Sequence, residues 1–318
     1  MKSRLYAVLR VAISLVLLGL FFYTGKDAIR QGLGAIKGMN GAIIAYGCLI
    51  TLLSSTLIAL RFYIVLKAQG LTLRYTDALH LTLIGYFFNN FLPTAVGGDV
   101  VKIFYTHKKA NDKVKSFTCV FMDRFIGLFS LFILAGISLI FCHNSITNRS
   151  IIWFTASILA AMLAIGVLIF NKRAAAPFTP LFRLKILSGI RENMEKLYTT
   201  INSYKEKKGS IVKAAITSIA AQLLAISVVY FFAKGLGAPV SVKIVYLFMP
   251  IVAIACLLPS IGGLGIRENA IYLLFGPYIG YENAFSLSLL WLLMVLVLGT
   301  AGGVSYIFRS WTYQNTHH

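Results

Sequence analysis

The sequence predicts an all-α, polytopic membrane bundle: six full spans plus two broken, re-entrant segments, or eight full spans, arranged as an inverted repeat. Three observations predict it. Of 318 residues, 58% are hydrophobic and 13% are charged, with a mean hydropathy of +0.80. Several apolar runs are long enough to cross a hydrocarbon core of about 30 Å. Two further apolar stretches are interrupted, once in each half, by proline, glycines and charge: NNFLPTAVGGDVVKIFY at 89–105 and CLLPSIGGLGIRENAIY at 256–272.

The first span, 5–23, follows Lys2 and Arg4 and resembles a secretory signal, but no small-residue cleavage site follows it, so it reads as an uncleaved span. The remaining full spans fall at 41–60, 116–142, 150–170, 211–233 and 283–308. The broken stretches, 76–92 and 244–258, are each followed by a shorter amphipathic piece, 99–106 and 266–276. The chain is expected to form one membrane domain over 1–318.

The net charge of +20 sits mainly in the links. Nucleic acid is therefore not the expected partner; the pattern is the positive-inside bias, with anionic lipid headgroups as the partner. YTHKKANDKVK at 105–115 and the 171–210 link are basic and are placed in the cytoplasm, with both termini on that side of the cell membrane. The loop at 24–40, with Lys26, Arg30 and Lys37 against Asp27, fits that bias poorly. Within the long link, Leu187, Ile190, Met194, Leu197, Ile201 and Tyr204 follow helical spacing, which predicts an amphipathic helix at about 184–206 lying on the membrane surface or against a partner.

At each break, Pro93 or Pro259 withdraws a backbone donor, while Gly97 and Gly98, or Gly262, Gly263 and Gly265, disfavour helix continuation. Broken backbone inside a membrane is tolerated only where protein buries it or a wet cavity receives it. A helix restarting near Asp99 would direct its free N–H groups at that cavity, an anion site, with Asp99 capping it at rest. In the second copy Arg267 falls in the first turn and would clamp a phosphate, while Glu268 beside it reads equally as a ligand group or as a partner in a structural salt bridge. The two prolines stand 166 positions apart, about half the chain.

A second signal is Asp123-Arg124 within FTCVFMDRFIGLFSLFILAGISLIF. Each ionised group inside a span costs about 2.5–3.5 kcal/mol on insertion scales, so the pair is expected to face a cavity. Neighbouring helix positions diverge by about 100°, so the two are not assumed to pair with each other. Cys48, Cys119, Cys142 and Cys256 have no metal-ligand spacing and read as small core residues; no metal or cofactor is expected. GGLGIRE lacks the third glycine and the βαβ setting of a dinucleotide site.

NNFLPTAVGGDVVK at 89–102, DRFIGL from Asp123 and LPSIGGLGIRE at 258–268 together resemble the flippase-like membrane domain of lysylphosphatidylglycerol synthases and its free-standing relatives. The resemblance covers nearly the whole chain. It implies leaflet-to-leaflet movement of a lipid, with the recurrent polar residues on Asn89, Asn90, Asp99, Lys102, Asp123, Arg124, Arg267 and Glu268. Without the synthases' soluble aminoacyl-transferase part, lysyl transfer is not expected. The reading is a flippase for a phosphate-bearing phospho- or glycolipid. The rivals are an integral-membrane transferase acting on a lipid headgroup or lipid-linked sugar, and a scaffold for a lipid-pathway enzyme.

Overall fold

The computed structural model describes residues 15–314 apart from 17, 24–25, 92–96, 143–148, 171–199, 239, 259 and 261. The described residues form helices, turns and short connections with no strand. In chain order these are α1 (Lys26–Gly38), α2 (Gly41–Ala68), α3 (Tyr75–Phe91), α4 (Gly97–Ala110), α5 (Lys113–Cys142), α6 (Arg149–Phe170), α7 (Lys208–Gly235), α8 (Val242–Ala255), α9 (Ile266–Ile279) and α10 (Tyr281–Gln314). Among them α2, α5, α6, α7 and α10 are long and apolar enough to cross a membrane. The chain is a multi-pass membrane protein.

The first predicted span lies mostly outside the described residues. Its end is helical over 18–23, where fully buried Phe21 stacks on Phe285 of α10 with ring centroids 4.8 Å apart. Pro93, Pro259 and most of the predicted amphipathic link also lie outside them.

Contacts along α2 fix the direction of its neighbours. Arg61 meets Asp123 and Ser218, whereas Gly47, nearer the start of α2, abuts Phe232 near the end of α7. Both α5 and α7 therefore run antiparallel to α2. The 69–74 and 111–112 connections and the turn at Tyr204–Lys207 share one end of the bundle, called here the basic end. Gly38, Gly235 and Val242 lie at the other.

The two interrupted stretches are antiparallel helical hairpins. In the first, Lys109 Nζ meets Asp77 Oδ1 at 2.6 Å near the open end, and the Gly98 N–H donates to Asn89 Oδ1 at 2.8 Å near the tip. Chain therefore enters and leaves at the basic end. In the second, Phe248 packs edge-on against Phe275 and Tyr278, while Cys256 approaches Gly263 at the tip. Lys243 lies 5.4 Å from the Phe141 ring centroid, so this hairpin opens at the opposite end. Among the described residues, five long helices and two re-entrant hairpins follow the re-entrant one of the two topologies the sequence permits.

The helix starts give the repeat directly. Gly41 and Lys208, Tyr75 and Val242, Gly97 and Ile266, and Lys113 and Tyr281 open corresponding helices, displaced by 167 to 169 residues each time. A span, a hairpin and a span thus occur twice, in opposite orientation. The hairpin tips meet: a Cβ on Gly262 would stand 2.9 Å from the Asn89 carbonyl oxygen and 3.2 Å from Asn90 Cα. Gly262 also has φ of +57°, a second reason for glycine there.

Close approach of backbones sets α3 in place. A Cβ on Gly98 would strike the Gly85 carbonyl, and one on Gly302 of α10 would strike the Leu83 carbonyl. Small residues at membrane helix contacts allow this approach, which gains dispersion where no hydrophobic force acts between helices. Asn90 Nδ2 donates to the Val295 carbonyl at 3.1 Å, tying the end of α3 to α10.

Three expectations need correction. The 24–40 segment is not a loop: Lys26–Gly38 is helical and packs on α10, where Ser286 Oγ donates to the Gly32 carbonyl at 2.9 Å. The basic 105–115 link is also nearly all helix. Only Asn111, with φ of +50°, and Asp112 interrupt it, and Asp112 Oδ1 accepts from the Lys115 N–H. Finally, Ile201 and Tyr204, at the described end of the amphipathic link, are buried against α2 and α5 rather than turned to lipid. The Tyr204 hydroxyl donates to the Val65 carbonyl at 3.2 Å, and burial pushes its phenol pKa up, so it stays a neutral donor.

Two measurements check this architecture. In a cysteine-free background, Arg74→Cys and Lys113→Cys will react with an impermeant maleimide from the same side of the membrane, and Lys243→Cys from the other; labelling of residues 74 and 113 from opposite sides contradicts the re-entrant hairpin. Gly302→Val will lower the melting temperature in detergent or abolish folding, because backbone cannot yield as a flexible side chain does. Gly209→Ala, with open space around it, will change stability by no more than about 1 kcal/mol.

Candidate functional site

Arg61 is the group around which the site is built. It lies on α2 seven residues before Ala68, about 10 Å in from the basic end at 1.5 Å per residue. Its side chain is 6% exposed. An ionised guanidinium at that depth needs full pairing. Nε donates to Asp123 Oδ1 at 2.7 Å, and Nη1 donates to Ser218 Oγ of α7 at 2.9 Å. Gly127 leaves the room: a Cβ there would stand 2.7 Å from Nη1.

Asp123, one helical turn before Gly127, shares its other oxygen with Lys102 of α4, Oδ2 to Nζ at 3.6 Å. Lys102 also lies 4.9 Å from the Phe62 ring centroid, a cation–π contact. Arg124 points elsewhere, as the 100° step requires, and its Nε donates to Asp99 Oδ2 at 2.5 Å. Asp99 is therefore spent on Arg124, and the cap of the restarted helix is Asn89, not Asp99. Capping from across the hairpin satisfies a helix N-terminus as a local side chain would.

These groups enclose one cavity of about 200 Å³, lined by Arg61, Asn89, Asp99, Lys102, Asp123 and Arg124 together with Thr82, Gly85, Tyr86, Gly127 and Gln222, and by apolar Ile58 and Leu128. That is room for several waters or a small polar headgroup. Three formal cations face two carboxylates. Lys102, whose nearest carboxylate, Asp123, is already paired with Arg61 through its other oxygen, is the surplus charge.

Of the eight polar residues singled out from the sequence, Asn89, Asp99, Lys102, Asp123 and Arg124 line this cavity. Asn90 instead anchors α3. Arg267 and Glu268 form a separate buried unit at the tip of the second hairpin: Nε and Nη2 of Arg267 donate to Glu268 Oε1 at 3.0 and 2.6 Å, and Glu268 Oε2 accepts from the Gly265 N–H at 2.7 Å. The fork expected to hold a phosphate is closed on a neighbouring carboxylate. Here the 100° argument is overcome by side-chain length.

The chain is matched over residues 7–303 by the family described as the lysylphosphatidylglycerol synthase TM region. It belongs to that family. A curated relative, UPF0104 membrane protein MJ1595 of Methanocaldococcus jannaschii, is 23% identical over 293 residues, covering 85% of this chain and 84% of its own length.

Within this family member the cluster of Arg61, Lys102 and Asp123 belongs to one repeat. By the helix displacements, the second-copy positions answering to Arg61, Lys102 and Asp123 are Val228, Ile271 and Trp291, which pack in or against the apolar core of that half. Only Asp99 has an acidic counterpart, Glu268. Arg61, Thr82, Tyr86 and Gln222 escaped the sequence reading. Arg61 stood one residue past the span drawn at 41–60, yet FYIVL at 62–66 continues the apolar run beyond it, a signal that the helix goes on.

Breaking the buried pair from one side strands a charge. Arg61→Ala will destabilise the protein by about 3 kcal/mol, the low end of the range for such losses because Lys102 still offsets Asp123. Arg61→Met with Asp123→Leu will recover much of that loss, read as melting temperature in detergent; a double variant no better than the single one contradicts the pairing.

Proposed function

We propose that this protein is a lipid transporter that moves a phosphate-bearing lipid between leaflets of the cytoplasmic membrane, with the basic end and both termini facing the cytoplasm. The observation that carries this reading is a cavity with one surplus cation, set about 10–15 Å inside the membrane helices, whose Arg124 side chain is 39% exposed on the outer face of the bundle. Around Arg124 the exposed residues are apolar: Val100 and Phe104 of α4, Phe117 and Phe121 of α5. A charged group half open to that surface favours a ligand that arrives with hydrocarbon attached, since a soluble anion would need an aqueous path.

In this mechanism a phosphate approaches between α4 and α5 and takes the guanidinium of Arg124 from Asp99. Lys102 supplies the second contact, and its charge is the one the phosphate neutralises. Charge-assisted bonds to a phosphate are roughly twice as strong as neutral ones. Acyl chains stay outside, against the aromatic row of α5, where Phe117, Phe121, Phe125 and Phe129 stack at 6.0–6.5 Å centroid spacings. The two inverted hairpins, touching at Asn89 and Gly262, are the elements whose relative rocking would alternate access. Arg61 and Asp123 hold the floor of the site rather than the ligand.

Reconstitution into vesicles carrying acyl-labelled phosphatidylglycerol tests the reading. Wild type is expected to exchange the lipid between leaflets well above protein-free vesicles. Arg124→Ala and Lys102→Ala will each slow exchange by about tenfold or more, the value of one charge-assisted contact. Lys243→Ala, exposed at the opposite end, will not change it. Exchange no faster than in protein-free vesicles, with native lipid extracts as well, removes the transport reading.

A further inference from the structure

The cavity's charge balance and its unused neutral groups say more about the headgroup than that it carries phosphate. This step depends on the transport reading above. Arg61, Lys102 and Arg124 against Asp99 and Asp123 leave one formal positive charge, which a single phosphodiester monoanion cancels. A headgroup that also bore an ammonium would be neutral overall and would leave that positive charge uncancelled; among the described residues the cavity has no third carboxylate to make up the balance.

The remaining polar lining is neutral and largely unspent. Thr82 is 2% exposed, and its Oγ1 is buried with no hydrogen-bond partner. Tyr86 and Gln222 line the cavity and form no hydrogen bond among the described residues. Asn89 gives its Oδ1 to the Gly98 N–H and leaves its Nδ2 unused. Thr82, Tyr86 and Asn89 stand at i, i+4 and i+7 on α3 and form one stripe, with Gln222 supplied from α7. A buried hydroxyl such as that of Thr82 is costly when unpaired, and with the half-buried Tyr86, Asn89 and Gln222 it offers both donors and acceptors.

We infer that the lipid carried is a phosphodiester whose headgroup bears hydroxyls and no amine, a phosphoglycerol or glycosyl phosphate. Its phosphate meets Lys102 and Arg124, and its hydroxyls meet the Thr82–Tyr86–Asn89 stripe and Gln222. A zwitterionic headgroup such as ethanolamine leaves the surplus charge uncancelled, and a bare phosphodiester leaves the stripe unsatisfied.

The test compares three acyl-matched probes in the same proteoliposomes: phosphatidylglycerol, phosphatidylmethanol, which is anionic but has no hydroxyl, and phosphatidylethanolamine. Phosphatidylglycerol is expected to exchange at least tenfold faster than either. Thr82→Val, which deletes the unpartnered hydroxyl at nearly constant shape and keeps the fold, will bring the phosphatidylglycerol rate down toward that of phosphatidylmethanol; Thr82→Ser will restore it. Equal rates for phosphatidylglycerol and phosphatidylmethanol overturn the hydroxyl assignment, and equal rates for phosphatidylglycerol and phosphatidylethanolamine overturn the charge assignment, both with transport intact. Exchange of none of the three, combined with uptake of soluble glycerol 3-phosphate, overturns the lipid reading itself.

Discussion

Hydrocarbon offers no hydrogen bonds, so a helix that stops inside a membrane must find its missing partners within the protein. Both hairpin tips meet that constraint with a side chain reaching back to a backbone N–H: Asn89 to Gly98, and Glu268 to Gly265. Each tip is also pressed against the other, at a contact only a glycine at 262 permits. From this follows the position of α4. With its start held by Asn89 and its far end tied by Lys109 to Asp77, Lys102 and Asp99 are carried to the depth of Asp123 and Arg124.

The charge network is then a consequence of geometry rather than an independent motif. Arg61, Asp123 and Lys102 arrive from three helices and form a shared cluster, while Asp99 and Arg124 form a second pair at the edge open to the lipid-facing surface. The deep cluster is almost fully buried, and its interactions act at low effective dielectric. In the edge pair Arg124 is 39% exposed while Asp99 is buried, so it is the arginine that another anion can reach. Stability and ligand exchange are thus assigned to different residues within one cavity.

Much of this was legible in the sequence because it rests on local chemistry. A proline followed by paired glycines and a charge marks a broken helix in an apolar run, and the recurrence of that combination at half the chain length announces the repeat. Asp123-Arg124 announces a polar site because charge in a span is expensive. What was not legible depends on residues brought together over distance. Asn89 caps a helix nine residues onward, a role no local capping pattern encodes. Arg61 pairs with residues 62 and 157 positions away. Arg267 and Glu268 look like ligand groups in sequence, and only the orientation of their side chains reveals a closed pair. The helix at Lys26–Gly38 was hidden by its charge, which suggested a loop although the helix packs on α10.

The inverted repeat supplies two equivalent frameworks, and only one has acquired the charge cluster; the other keeps Val228, Ile271 and Trp291 at the matching positions. On the proposed function, that asymmetry assigns the phosphate to the basic-end half and makes the opposite half the apolar partner against which it moves. A structure of the protein in nanodiscs of phosphatidylglycerol tests this most directly. The account predicts phosphate density within hydrogen-bonding reach of Lys102 Nζ and the Arg124 guanidinium, with Arg124 drawn off Asp99. Phosphate density at Arg267 with its Glu268 bond broken, and none at Lys102 and Arg124, would contradict it.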